Sequence, residues 1–95
     1  MFVVHYEIRF DSADDYIHQK NKAEFPNEEM ARAFSEHLSK IDDKLFLTNL
    51  KLTYERPAKG GGTLISSIAY FQSYIQKGER FFEWENNYDG PYLSE

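Results

Sequence analysis

Few of the 95 side chains could do chemistry, and those few stand in patterns that do not converge. Three imidazoles are present, His5, His18 and His37, and there is no cysteine. A zinc or catalytic histidine site needs neighbours at short spacing, for example two histidines four apart with a glutamate between them. These three fall instead on a strand, a loop and a helix, and His37, beside Phe34 and Leu38, has the setting of a partly buried structural histidine. The missing thiol removes cysteine nucleophiles, all-cysteine metal sites and disulfides, and it suits a reducing compartment.

Asp11, Asp14 and Asp15 gather carboxylates in one short stretch. A calcium loop would also need an oxygen ligand where Ala13 stands, a glycine where Tyr16 stands and a bidentate glutamate where Lys22 stands. The stretch therefore reads as a solvated acidic loop. Lys59-Gly60-Gly61-Gly62-Thr63 holds the residue types of a phosphate loop in the wrong order, and a hairpin connection uses the same glycine freedom. Asp42 with Asp43, and Glu83 with Glu85, are carboxylate pairs in sequence only; on a strand, residues two apart simply share one wet face. An acid–base site needs groups brought together in a pocket. These residues predict no catalytic site, no metal site and no cofactor, hence a protein that is not an enzyme.

The elements that position these residues follow from periodicity. Phe2, Val4, Tyr6, Ile8 and Phe10 alternate with Val3, His5, Glu7 and Arg9, which predicts a half-buried strand with His5, Glu7 and Arg9 on its wetter face. The polar stretch that follows, up to Asn27, lacks a clean period and reads as a long loop pinned by Tyr16 and Ile17. Asn27 is an N-cap candidate with Glu28 and Glu29 in the first turn. Met30, Phe34, Leu38, Ile41 and Leu45 then form one apolar stripe, so the spacing predicts a helix over 27–44, supported by the pairs Glu28 to Arg32 and Glu36 to Lys40. Leu50, Leu52 and Tyr54 alternate with Asn49, Lys51, Thr53 and Glu55 in a second strand ended by Pro57. Residues 58–62 connect it to the next element.

Residues 63–77 have two readings. Leu64, Ile68, Phe71 and Ile75 fit a helical stripe, with Gly78 just past its end. The abundance of Ile, Thr, Tyr and Phe favours a strand, with Ile65, Ala69, Phe71 and Ile75 on one face. In the strand reading, Lys77-Gly78 turns a hairpin into a last strand where Phe82 and Trp84 alternate with Phe81, Glu83 and Glu85. Residues 86–91, Asn-Asn-Tyr-Asp-Gly-Pro, are dense in turn formers, so 87–95 is expected to leave the sheet as an irregular tail. The fold expected is a single small α+β domain over residues 1–95, in the order β-α-β-β-β, an antiparallel-rich sheet with one helix on one face; the alternative, with 63–77 helical, is β-α-β-α-β.

At 11.2 kDa, 41% apolar and 28% charged, the chain is of ordinary globular composition and has room for one core. No apolar run approaches the roughly 18–20 residues that span a bilayer, and the first ten residues lack the apolar block of a signal peptide. A soluble, cytoplasmic protein is expected, with no membrane partner. The net charge of −5 is unevenly spread. Residues 1–50 carry six basic and ten acidic groups, residues 51–80 five and two, and residues 81–95 none and four. Acidic flanks thus surround a basic middle, and a partner feels the local potential.

Sixteen aromatic residues are too many for one helix-on-sheet interface, so some are expected on the open face. Tyr54, Tyr70, Tyr74, Phe81 and Trp84 are interleaved with Lys51, Arg56, Lys59, Lys77 and Arg80, a composition that could stack and neutralise single-stranded nucleic acid. The acidic flanks oppose that reading. Tyrosine and tryptophan serve protein interfaces equally well. The expectation is a non-enzymatic, inhibitor- or immunity-protein-like binding protein that occupies a basic surface of another protein through Asp14, Asp15, Asp42, Asp43, Glu83, Glu85 and Asp89, with Trp84 and Tyr88 as anchors. The alternatives are a homo-oligomeric module, such as a homodimer, and nucleic-acid binding by the 51–84 surface.

Overall fold

A computed structural model describes residues 1–11, 16–40 and 45–94. It contains β1 (Phe2–Asp11), β2 (Tyr16–Phe25), α1 (Glu28–Leu38), β3 (Leu45–Pro57), β4 (Thr63–Gln76) and β5 (Glu79–Ser94). The strands form one antiparallel sheet in the order β2-β1-β3-β4-β5, so β2 and β5 are its edges. This is the expected α+β domain, with a helix on one face and the strand reading of 63–77 in place of the helical one. Its order contains one strand more than expected, since β2 lies where a loop was foreseen.

The face under the helix follows from the registers. Phe2, Val4 and Tyr6 oppose Phe25, Ala23 and Asn21 on β2 and Tyr54, Leu52 and Leu50 on β3. Residues directly opposite in an antiparallel pair share a face, so these form one layer. α1 lies over β1, β2 and β3. The buried core is Val4, Ala31, Leu50, Leu52, Ile68, Ala69 and Phe71, with Phe2, Tyr6, Phe25, Phe34, Leu38 and Trp84 packed around it.

The helix begins as its sequence requires: the Asn27 side chain accepts a hydrogen bond from the Met30 amide at 2.8 Å. It ends at Leu38, short of the 27–44 expected; Ile41 lies outside the described residues, and Leu45 belongs to β3. Its sheet-facing stripe is also rotated by about one position from the expected one. Ala31 and Ser35 are fully buried while Met30 is 48% exposed, because small side chains let the helix axis approach the sheet. The Ser35 hydroxyl is satisfied by the Ala31 carbonyl at 2.9 Å. His37, expected to be partly buried, is exposed.

One bulge on β4 and two register shifts on β5 alter the expected faces of these strands. Between Leu52/Ala69 and Thr53/Ser67, Ile68 is the extra residue, so it enters the core beside Ala69, and Ile65 is moved to the opposite face. Lys77 and Gly78, both at positive φ (53° and 80°), make the expected hairpin turn. The expected irregular tail is instead the second half of β5, paired through Ile65↔Tyr92, Leu64↔Leu93 and Thr63↔Ser94. Its turn formers supply extra residues at two register shifts and do not end the strand. At one of them Gly90 (φ 103°) lies so close to β4 that a Cβ there would meet the Ile65 carbonyl oxygen at 2.8 Å.

Candidate functional site

The open face is polar at its centre. Thr53 is only 2% exposed, and its hydroxyl donates to Glu55 Oε2 at 2.8 Å. His5 Nε2 lies 2.7 Å from the same oxygen. Burial pushes the Glu55 carboxyl up, but the hydrogen bonds from Thr53 and His5, with the charges of His5 and Lys22, outweigh it and hold the group below its ordinary value. The three side chains satisfy one another, and the Thr53 hydroxyl is shielded from any substrate. Glu55 also ties down the chain start, its backbone exchanging hydrogen bonds with Met1 at 2.8 and 3.0 Å.

Charge on this face is graded across the sheet. The β2 side carries Lys20 and Lys22, paired with Glu7 and Glu24 at 3.7 and 4.0 Å. Toward β5 the register places Glu85 opposite Tyr70, Glu83 opposite Gln72 and Asp89 opposite Ser67, so these three expected contact residues share the open face. Asp89 accepts a hydrogen bond from Tyr92, and that bond pushes the Tyr92 phenol up.

The helix side of β5 carries the two expected anchors, Trp84 and Tyr88. Trp84 packs on Phe71 (centroids 4.8 Å apart) and its indole N–H points to Glu36 Oε1 at 3.4 Å. Arg32 joins helix to strand: its guanidinium donates to Glu28 at 3.0 Å and to Asn86 at 3.0 Å, and lies 4.7 Å from the Trp84 ring centre. Because α1 sits over β1, β2 and β3, an open groove of about 600 Å3 remains between it and β5, lined by Glu28, Glu29, Arg32, Ala33, Glu36 and Tyr88. Tyr88 is 72% exposed at its rim.

The expected contacts therefore divide. Glu83, Glu85, Asp89, Trp84 and Tyr88 are gathered along β5, on its two faces, whereas Asp14, Asp15, Asp42 and Asp43 lie outside the described residues. Glu28, Glu29, Arg32, Glu36 and Asn86 were not foreseen as contacts. Their only sequence signal is that Glu28, Arg32 and Glu36 recur every fourth residue on one outward helix stripe.

The expected nucleic-acid surface over 51–84 does not assemble among the described residues. Lys51 and Tyr70 meet, with the ammonium 5.7 Å from the ring centre. Tyr54 turns to the helix side and packs on Phe2, Arg56 opposes Leu64 on that same side, and Trp84 is under Arg32. Lys59 and Lys77 sit at opposite ends of β4. The side chains of Tyr74 and Arg80 lie outside the described residues. The expected rings on the open face are present, since the registers place Tyr70, Phe81 and Tyr92 there, while the ring pairs Phe2–Tyr54, Tyr6–Phe34, Phe25–Phe34 and Phe71–Trp84 are on the helix side.

The glycine loop is a closed connection between β3 and β4, held by Ala58 N–H to the Gly62 carbonyl and Gly61 N–H to the Ala58 carbonyl, with no helix after it to receive an anion. Among the described residues no three His, Asp or Glu side chains converge as metal ligands, and no helix is long and apolar enough to cross a membrane. No family model, curated protein or solved structure matches the chain.

Proposed function

We propose that this chain is a non-enzymatic binding protein whose β5 side occupies a basic surface of another protein. The observation that carries this reading is that the β5 edge bears carboxylates on both of its faces, Glu83, Glu85 and Asp89 on the open one and Glu28, Glu29 and Glu36 along the helix-side groove, where Tyr88 is exposed and Arg32 is already paired with Glu28. A field of one sign raises the encounter rate with an oppositely charged surface, and an exposed ring beside a groove provides the apolar anchor that charge alone lacks. The polar cluster at the centre of the sheet supports the non-enzymatic part, since His5, Thr53 and Glu55 are occupied with one another.

Affinity capture from a native host with the wild-type chain and with E83K/E85K/D89K tests this. The expected result is a basic protein retained by the wild type, released as salt rises, and lost with the triple variant. Retention that ignores both salt and charge reversal would remove the reading.

A further inference from the structure

The β5 edge has a property beyond its charge. An edge strand presents a row of unpaired backbone N–H and C=O groups, a template for one more strand. Both register shifts of the β4–β5 pair fall between Asn86 and Tyr92, and bulges of that kind spoil the template there. Residues 79–86 are continuously paired with β4 on one side and, among the described residues, have no strand on the other. The regular stretch is about eight residues, enough for a full added strand of ordinary length. The helix itself lies over β1, β2 and β3, and reaches this stretch only through the Arg32 and Glu36 side chains at Trp84 and Asn86 on its helix side.

The two faces of this stretch specify what could pair with it. On the open face stand Glu79, Phe81, Glu83 and Glu85; on the helix side Trp84 and Asn86 contact Arg32, which lines the groove. A strand laid along β5 sends alternate side chains to the two faces. Those on the open face come within cross-strand distance of carboxylates, and those on the helix side lie beside the indole of Trp84. We infer that residues 79–86 receive, by strand addition, an extended segment of another protein in which lysine or arginine alternates with aliphatic residues. This rests on the reading of a basic partner and adds how the partner is held: main-chain hydrogen bonds supply register, and the alternation supplies specificity. A second copy is disfavoured as occupant by the same charges, since an antiparallel β5–β5 pair sets carboxylate against carboxylate.

The test uses the intact chain and dye-labelled synthetic peptides, read by fluorescence anisotropy. One ten-residue peptide alternates lysine and valine, and a comparator has the same composition in two blocks. Two further peptides are the alternating one N-methylated at all valines or at all lysines. Alternating peptide is expected to bind about tenfold tighter than the block peptide. One methylated peptide should lose binding while the other keeps it, because only one set of amides in a strand points at β5. Equal, salt-sensitive binding of alternating and block peptides overturns strand addition and leaves the basic-partner reading standing. Equal binding of both methylated peptides and the parent overturns it too. Binding of neither peptide overturns both readings. If light scattering shows the chain associating with itself, and the alternating peptide dissociates that complex, the occupant is a second copy and the inference fails.

Discussion

Glu55 is where a single residue's titration should be visible in the stability of the whole chain. Its carboxyl is 16% exposed, accepts from Thr53 and His5, and is held below the ordinary value of about 4.5. A carboxyl whose folded pKa is depressed binds fewer protons folded than unfolded, so its stabilisation is complete above the unfolded value and is lost as pH falls through the folded one. Glu55→Gln keeps the shape and removes the charge. The variant should be less stable at neutral pH, by about 1–3 kcal/mol on the usual scale for hydrogen bonds to a charged group. As the solution is acidified below about 4.5, the wild-type melting temperature should fall toward that of the variant. Thermal melts across that range decide the matter: a constant gap between the two curves means that Glu55 does not supply the acid-sensitive term. Arg32 makes the complementary point. It is half-buried because it has Glu28, Asn86 and the Trp84 face at once, and so it acts as a strut between α1 and β5 and is less available as a docking cation.

At the level of elements, the predictions concern how the helix starts and how β5 follows β4. Asn27→Ala removes the acceptor of the Met30 amide and should cost about 1 kcal/mol, measured by denaturant unfolding. Gly90→Ala should cost more, about 1–3 kcal/mol, because the backbone stands at φ 103° and the new Cβ would sit 2.8 Å from the Ile65 carbonyl oxygen. Gly60→Ala in the β3–β4 connection is the control: nothing lies within 4 Å of its Cβ position, and a change near zero is expected. If Gly90→Ala were as mild as Gly60→Ala, the close approach of β5 to β4 would be wrong. The same elements show what the sequence discloses. β1 and β3 were legible because one face of each is buried, so alternation of apolar and polar residues is forced upon them. β2 was not, because it is an edge strand whose helix-side positions include Gln19 and Asn21 opposite Ile8 and Tyr6, which erases the alternation between Ile17 and Ala23. β5 was legible only to Asn86, since Asn, Gly and Pro serve a bulge as well as a turn and only the partner strand decides between them. The candidate site follows the same rule: Glu83, Trp84, Glu85, Tyr88 and Asp89 lie on one strand and can be grouped from the sequence, whereas the helix residues beside Trp84 and Tyr88 are joined to β5 only by tertiary packing.

The whole molecule is a slab of 48 × 28 × 19 Å, roofed on one side, with Lys20, Lys22 and Glu24 along the open face of one edge and Glu79, Glu83, Glu85 and Asp89 along that of the other. A long exposed edge invites association with a copy of itself, and natural sheets counter this with charge and bulges. Both devices are present on β5, the bulges beyond Asn86 and the carboxylates before it. Consider two copies joined across β5 by a two-fold axis normal to the sheet, which keeps both helices on one side. Opposite residues then share a face, and Glu79, Glu83 and Glu85 of one copy face the same row in its partner. Sliding the register by two residues exchanges one carboxylate opposition for another, so repulsion disfavours each alignment by roughly 0.2–1 kcal/mol per like-charge pair. Neutralising Glu83 and Glu85 with glutamine removes most of that penalty while leaving strand propensity and shape nearly unchanged. The E83Q/E85Q chain should therefore shift from monomer toward dimer as concentration rises, whereas the wild type stays monomeric, as followed by light scattering over a dilution series. A wild type already dimeric at the lowest concentration, or a variant that remains monomeric at the highest, would show that the carboxylates do not guard the edge. The guard would then have to lie in the bulged half of β5, where replacing Gly90 and Pro91 is the next place to look.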